Sequence, residues 1–97
     1  MKSDQERDRQ DVLALGARLA NSEGFRVIAM DGRDVGAVEN VVYKRHADHP
    51  DEILIRRKVL LWDRLYVVTF DEVAQVDPGR ERVFLGIASG AIRRHSD

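Results

Sequence analysis

Cysteine is absent from this chain, so it forms no disulfide and does no thiolate chemistry. Any surplus of charge is absent too: 16 basic residues face 17 acidic ones, a formal net charge of -1. Non-specific nucleic-acid binding rests on a basic surface that neutralises phosphates, and this balance does not supply one. Long apolar runs are missing. None approaches the ~20 residues of a membrane span, so no membrane association is expected. The segment Met1-Lys2-Ser3-Asp4-Gln5-Glu6 leads into more charge rather than an apolar stretch. No cleaved signal peptide is therefore expected, and the cytoplasm is the default location. Internal repeats and low-complexity tracts are lacking. What is present is 97 residues, 43% apolar and 34% charged, the proportions of one globular domain.

Residues 3–21 carry a helical pattern. Ser3 and Glu6 have capping-box spacing, in which each side chain satisfies an orphan amide of the first turn. Val12, Leu15, Gly16 and Leu19 follow the i, i+3, i+4, i+7 spacing of one helix face. Gly24 reads as the helix stop. From Phe25 the period changes and five strands are expected, over residues 25–30, 35–43, 52–57, 60 or 65 to 69, and 82–85. Asp31-Gly32 is a hairpin signal, because a tight turn needs positive φ and glycine adopts it without Cβ strain. Gly36 falls inside a strand pattern and reads as a bulge or sharp bend. Trp62-Asp63-Arg64 is placed as a turn. Residues 70–76 suit one helical turn entering a short strand. In Asp77-Pro78-Gly79-Arg80, Pro presets φ and Gly accepts positive φ. Residues 86–97 hold one weak helical patch and a charged end.

Many short strands in ~60 residues favour a small barrel, because closure removes exposed edges. The expected core is Val27, Val35, Val38, Val41, Ile53, Ile55, Leu61, Val67, Phe70, Val73, Val76, Val83 and Leu85.

The order of these pieces resembles the PRC-barrel family. The likeness rests on Gly24-Phe25-Arg26-Val27, on Asp31-Gly32-x-x-Val35-Gly36-x-Val38, on Val67-Val68-Thr69-Phe70-Asp71-Glu72-Val73, and on the hairpin from Asp77 to Leu85. Thr69 departs from the family pattern, where many members have proline. The N-terminal helix is not required by the minimal module. The resemblance implies a mainly β fold: a small PRC-type β-barrel over residues 24–86, an N-terminal amphipathic helix over 1–23, and a short C-terminal tail over 87–97. It also implies a non-catalytic module that docks on other macromolecules. Relatives occur in the photosynthetic reaction-centre H subunit, in ribosome maturation factors and in archaeal cell-division adaptors.

Three groups of residues carry chemistry worth weighing. His46, Asp48, His49 and Asp51 crowd one loop, where two imidazoles and two carboxylates offer metal donors. Their spacing matches no closed structural site, and loops are polar for solvation alone, so no metal site is assigned. Lys44, Arg45, Arg56 and Arg57, with Tyr43, Trp62 and Tyr66, offer an RNA contact by charge and stacking. Acidic neighbours Asp48, Asp51 and Glu52 oppose it, and nucleic acid is not the expected partner. Trp62, between Leu60, Leu61 and Leu65, is either a partner anchor or core. Gly32 and Gly36 lack the Lys-Ser/Thr and helix of a phosphate loop. Ser89 and Ser96 have no matching His and Asp, so no catalytic residue and no cofactor are assigned.

The expected function is a non-enzymatic protein-interaction adaptor, with an RNA- or ribosome-associated module as the alternative. The apolar stripe of Val12, Leu15 and Leu19, with Trp62, is the expected partner surface. It either pairs two copies as a homodimer or folds back over its own barrel.

Overall fold

The computed structural model describes residues 4–95, with side chains from residue 9 onward. The expected capping box rests on Ser3 and on the side chain of Glu6, which lie outside what is described. Helix α1 spans Asp4–Ala20. Its apolar stripe does what helical spacing demands: Leu19 is fully buried and Leu15 packs against the core. Gly16 faces the loop before the third strand, where a Cβ on it would sit 2.5 Å from the Cβ of His49. The helix thus lies on its own chain. Its end is capped by side chains, with Asn21 donating to the Ala17 carbonyl and Ser22 Oγ to that of Leu19. Gly24 sits past this cap, where its N–H reaches the Val38 carbonyl and its φ is +87°.

Seven strands follow: the five expected, the short strand expected to follow the turn of residues 70–76, and one more near the C-terminal end. They are β1 (Arg26–Ile28), β2 (Asp34–Val42), β3 (Glu52–Val59), β4 (Trp62–Thr69), β5 (Val73–Asp77), β6 (Arg82–Leu85) and β7 (Arg93–Arg94). They form one sheet in the order β5-β6-β1-β2-β3-β4-β7. All neighbours are antiparallel except β1 and β6, which run parallel with Val27 beside Val83. The 3-10 turn Phe70–Glu72 precedes β5, as the spacing of residues 70–76 predicts. Strand β7 was expected as tail; it pairs with β4 at Val67 and Tyr66, and Arg93 donates to Glu72 at 3.0 Å.

Turn positions differ from expectation in three places. The β3–β4 turn is not Trp62-Asp63-Arg64 but Leu60-Leu61, with Val59 directly opposite Trp62. In the β1–β2 hairpin, Gly32 has the positive φ expected of it, +84°, but the loop is wider than two residues and closes with Ala29 N–H on the Arg33 carbonyl. Before β6 the left-handed residue is Glu81, φ +56°, rather than Gly79.

The sheet bends strongly. Bulges interrupt the ladders at Val27/Ile28, Val38/Asn40 and Val73/Gln75. One buried cluster draws Val27, Val38, Ile53, Val68, Val76 and Val83 from six strands, with Leu19 from the helix. The architecture is mainly β, a seven-stranded sheet curled round one core with one helix against it. The sheet ends at β5 and β7, and no ladder joins those two among the described residues.

Nine residues of the expected core are buried: Val27, Val35, Val38, Ile53, Ile55, Val73, Val76, Val83 and Leu85. Val41 and Phe70 pack against them. Leu61 is the clear correction, 92% exposed, because it lies in the turn and not in a strand. Val67 gives way to Val68, the residue one place on, which side-chain alternation turns inward.

Candidate functional site

Strands β3 and β4 outrun their neighbours. Strand β2 accompanies β3 only as far as Arg56, opposite Ala37. On the other side, β7 reaches Tyr66, and the His95 N–H closes on the Leu65 carbonyl at 2.9 Å. Beyond these points, residues 57–64 pair only with each other. They form a two-stranded arm that leaves the body of the sheet.

At the end of the arm stand Leu60, Leu61 and Trp62, exposed by 86%, 92% and 71%. No other run of three consecutive large apolar residues among the described residues is so open. The backbone there is costly as well: Leu60 has φ +56°, the left-handed region that a branched side chain enters only at a price.

Charge is concentrated behind the tip. Alternation along the paired strands puts Arg57 opposite Arg64 on the face that continues from the core, and Lys58 opposite Asp63 on the other. Like charges opposed across strands repel, so the Arg57–Arg64 pair is not there to stabilise the ladder. Arg56 is held by Glu39 at 2.8 Å and by Asp63 at 3.4 Å. Arg57, Lys58, Arg64 and Arg94 have no carboxylate partner among the described residues.

The root of the arm borders a surface depression of about 600 Å3, whose walls include Arg26, Asp34, Glu39 and Arg56. Arg26 pairs with Asp34, and Arg56 with Glu39 and Asp63, while Arg57 and Lys58 on the same wall have no carboxylate partner among the described residues. Arg26 grips Asp34 with two bonds, at 3.0 and 2.7 Å, and the guanidinium holds the Asp34 carboxyl below the usual carboxylate range.

The histidine loop is built inward. Asp51 Oδ2 accepts the amides of Lys44, Arg45 and His46, and its Oδ1 lies 2.6 Å from His46 Nδ1. These bonds, that from His46 first, hold the Asp51 carboxyl well below the carboxylate range. His49 stacks between His46 and Phe70, with ring centroids 4.3 and 4.1 Å away. No three His, Cys, Asp or Glu residues among the described ones converge as metal ligands do. The loop chemistry goes into holding the 44–51 segment against α1 and Phe70.

The basic residues weighed for RNA are split. Lys44 is paired with Glu52 at 2.9 Å, next to the point where Val42 faces Glu52. Arg56 and Arg57 lie at the far end of the same ladder, about 13 Å away at strand rise. Of the expected partner residues, Leu19 is inside the core and Leu15 half-buried, so neither is open to a partner. Val12 is 40% exposed and Trp62 stands free. Leu60 and Leu61 join Trp62 in the candidate site. Sequence reasoning passed over them because two leucines signal burial, and no Gly, Asn or Asp marks their turn.

A scan of protein-family models finds no match to the chain, and neither does a search of the curated proteins.

Proposed function

We propose that this chain is a non-catalytic interaction module on a PRC-type barrel, an adaptor that docks through its β3–β4 arm. The carrying observation is the tip: Leu60, Leu61 and Trp62 are exposed although the core is complete without them. Water-exposed leucine and tryptophan gain free energy by leaving water, and tryptophan is a frequent anchor at interfaces. The barrel part of the reading is supported by the bend at Gly36, the hairpin at Gly32 and the single core shared by six strands. The adaptor part is supported by the histidine loop, whose polar groups bond to one another. Nothing in the placement of Lys44, Arg45, Arg56 and Arg57 adds to the RNA alternative.

The test is a photo-crosslinking residue at position 61, with a control at exposed position 81, in cells that make the protein. Adducts specific to position 61 are the expected result. Equal labelling at both positions removes the docking role.

A further inference from the structure

We infer that the surface on which the arm docks is an anionic lipid surface, entered by Leu60, Leu61 and Trp62 and gripped by Arg57, Lys58 and Arg64. This rests on the docking role proposed above and specifies what the arm meets. It does not concern a spanning segment: no described helix is long and apolar enough to cross a membrane, which says nothing of peripheral contact.

Shape is the first argument. The tip is the end of a two-stranded arm, with three adjacent apolar side chains open to solvent. A protein partner would need a pocket shaped to the end of the arm to cover all three. The interfacial region of a bilayer does so without a pre-formed cavity. Tryptophan beside leucine also suits that region, where one end of a ring is apolar and the other wet.

Charge placement is the second argument. The cations stand behind the tip on both strands and both faces of the arm, with Arg57 and Arg64 on one and Lys58 on the other. At strand rise they lie about 7–10 Å from the turn. An apolar segment settles ~5–10 Å into the boundary between acyl chains and headgroups, which leaves these cations at the level of the lipid phosphates. The one acid on the arm, Asp63, is engaged by Arg56. Unpaired Arg57 and Arg64 facing one another cost the free protein repulsion that an anionic surface relieves.

The chain has a built-in reporter, since Trp62 is its single tryptophan. Full-length protein is titrated with vesicles of equal parts phosphatidylglycerol and phosphatidylcholine at low salt. Trp62 emission is expected to shift to the blue and the protein to sediment with the vesicles. Pure phosphatidylcholine vesicles are expected to give much weaker binding, and added salt to release the protein. The double variant Arg57→Gln, Arg64→Gln is expected to bind about thirtyfold more weakly and to melt no lower than wild type, since the repulsion between the two arginines is removed. Leu61→Ser, at an open turn position, is a second variant that leaves the fold intact and weakens binding several-fold.

No shift and no sedimentation with the anionic vesicles overturns the inference. So does equal binding to both vesicle types, which removes the role of the cations. A blue shift without vesicles, together with a dimer mass in light scattering, assigns the arm to a second copy instead. A shift with poly-glutamate but not with vesicles assigns it to an acidic protein. Failure with vesicles alongside protein adducts at position 61 sinks the lipid surface and leaves docking standing. Failure in both experiments removes both.

Discussion

Gly36 lies against the backbone carbonyl of Arg56, so close that a Cβ on Gly36 would run into the carbonyl oxygen. Its φ of +128° is itself closed to side chains. Both constraints come from one event, the crossing of β2 from its pairing with β1 to its pairing with β3. Gly36→Ala must move the β3 backbone at the root of the arm. The expected cost is about 2–3 kcal/mol, read as a fall in Tm of ~10 °C or more for a domain of this size. An unchanged melt would mean that β2 and β3 separate there at little cost.

Leu60→Gly works in the opposite direction. Left-handed backbone costs a leucine about 1–2 kcal/mol, and glycine returns ~0.5–1 kcal/mol of that through the entropy of its unfolded chain. An 86% exposed side chain contributes little packing to lose. The net expectation is a gain of about 0.5–1 kcal/mol, seen as a Tm raised by several degrees. The same variant should bind vesicles less well. A gain in stability paired with a loss of docking would show that the tip is shaped for contact at the expense of the fold.

Asp51 sets an acid limit. Its folded carboxyl is held well below its unfolded value by His46 and the amides of Lys44 and Arg45. A depressed acid stabilises the fold above its unfolded pKa, about 4, and loses that contribution as the pH falls below it. Asp51→Asn should therefore melt below wild type at neutral pH, and the gap should begin to narrow near about pH 4 and go on narrowing as the pH falls toward the depressed folded value. Melting curves in a pH series check this. A gap constant across the series would mean that packing of the loop, not the carboxylate charge, is what the variant loses.

Leu19→Ala tests where the helix belongs. The side chain is fully buried among strands of its own chain, so truncation should cost about 2–4 kcal/mol. That loss should be independent of protein concentration, because no second copy is needed to bury it. A loss that shrinks as the protein is concentrated would place the helix on a neighbouring chain instead.

Much of this fold was legible because alternation and glycine placement are local signals. Val27, Ile53, Ile55, Val83 and Leu85 announce themselves by period 2, and β6 was readable to the residue. The failures share a cause. At Leu60-Leu61 the turn lacks the residues that turns favour, so hydrophobicity was read as burial. Trp62 is weighed evenly between core and partner anchor, and its 71% exposure removes the core reading. Strand β7 was unreadable because two arginines carry no pattern, and only the edge of β4 makes them a strand. The split of Lys44 from Arg56 was equally hidden, since closeness across a loop depends on register and register is a tertiary fact.

The parallel pairing of β1 with β6 bears on how the molecule is made. Val27 meets Val83 only after more than half the chain has been synthesised between them. Contacts so distant in sequence form slowly, because a large loop must close before they return any energy. On the ribosome the early hairpin of β1 and β2 would wait with one edge open until β6 emerges. Its guard in that interval is the short length of β1, three residues, which gives a stray strand little to pair with.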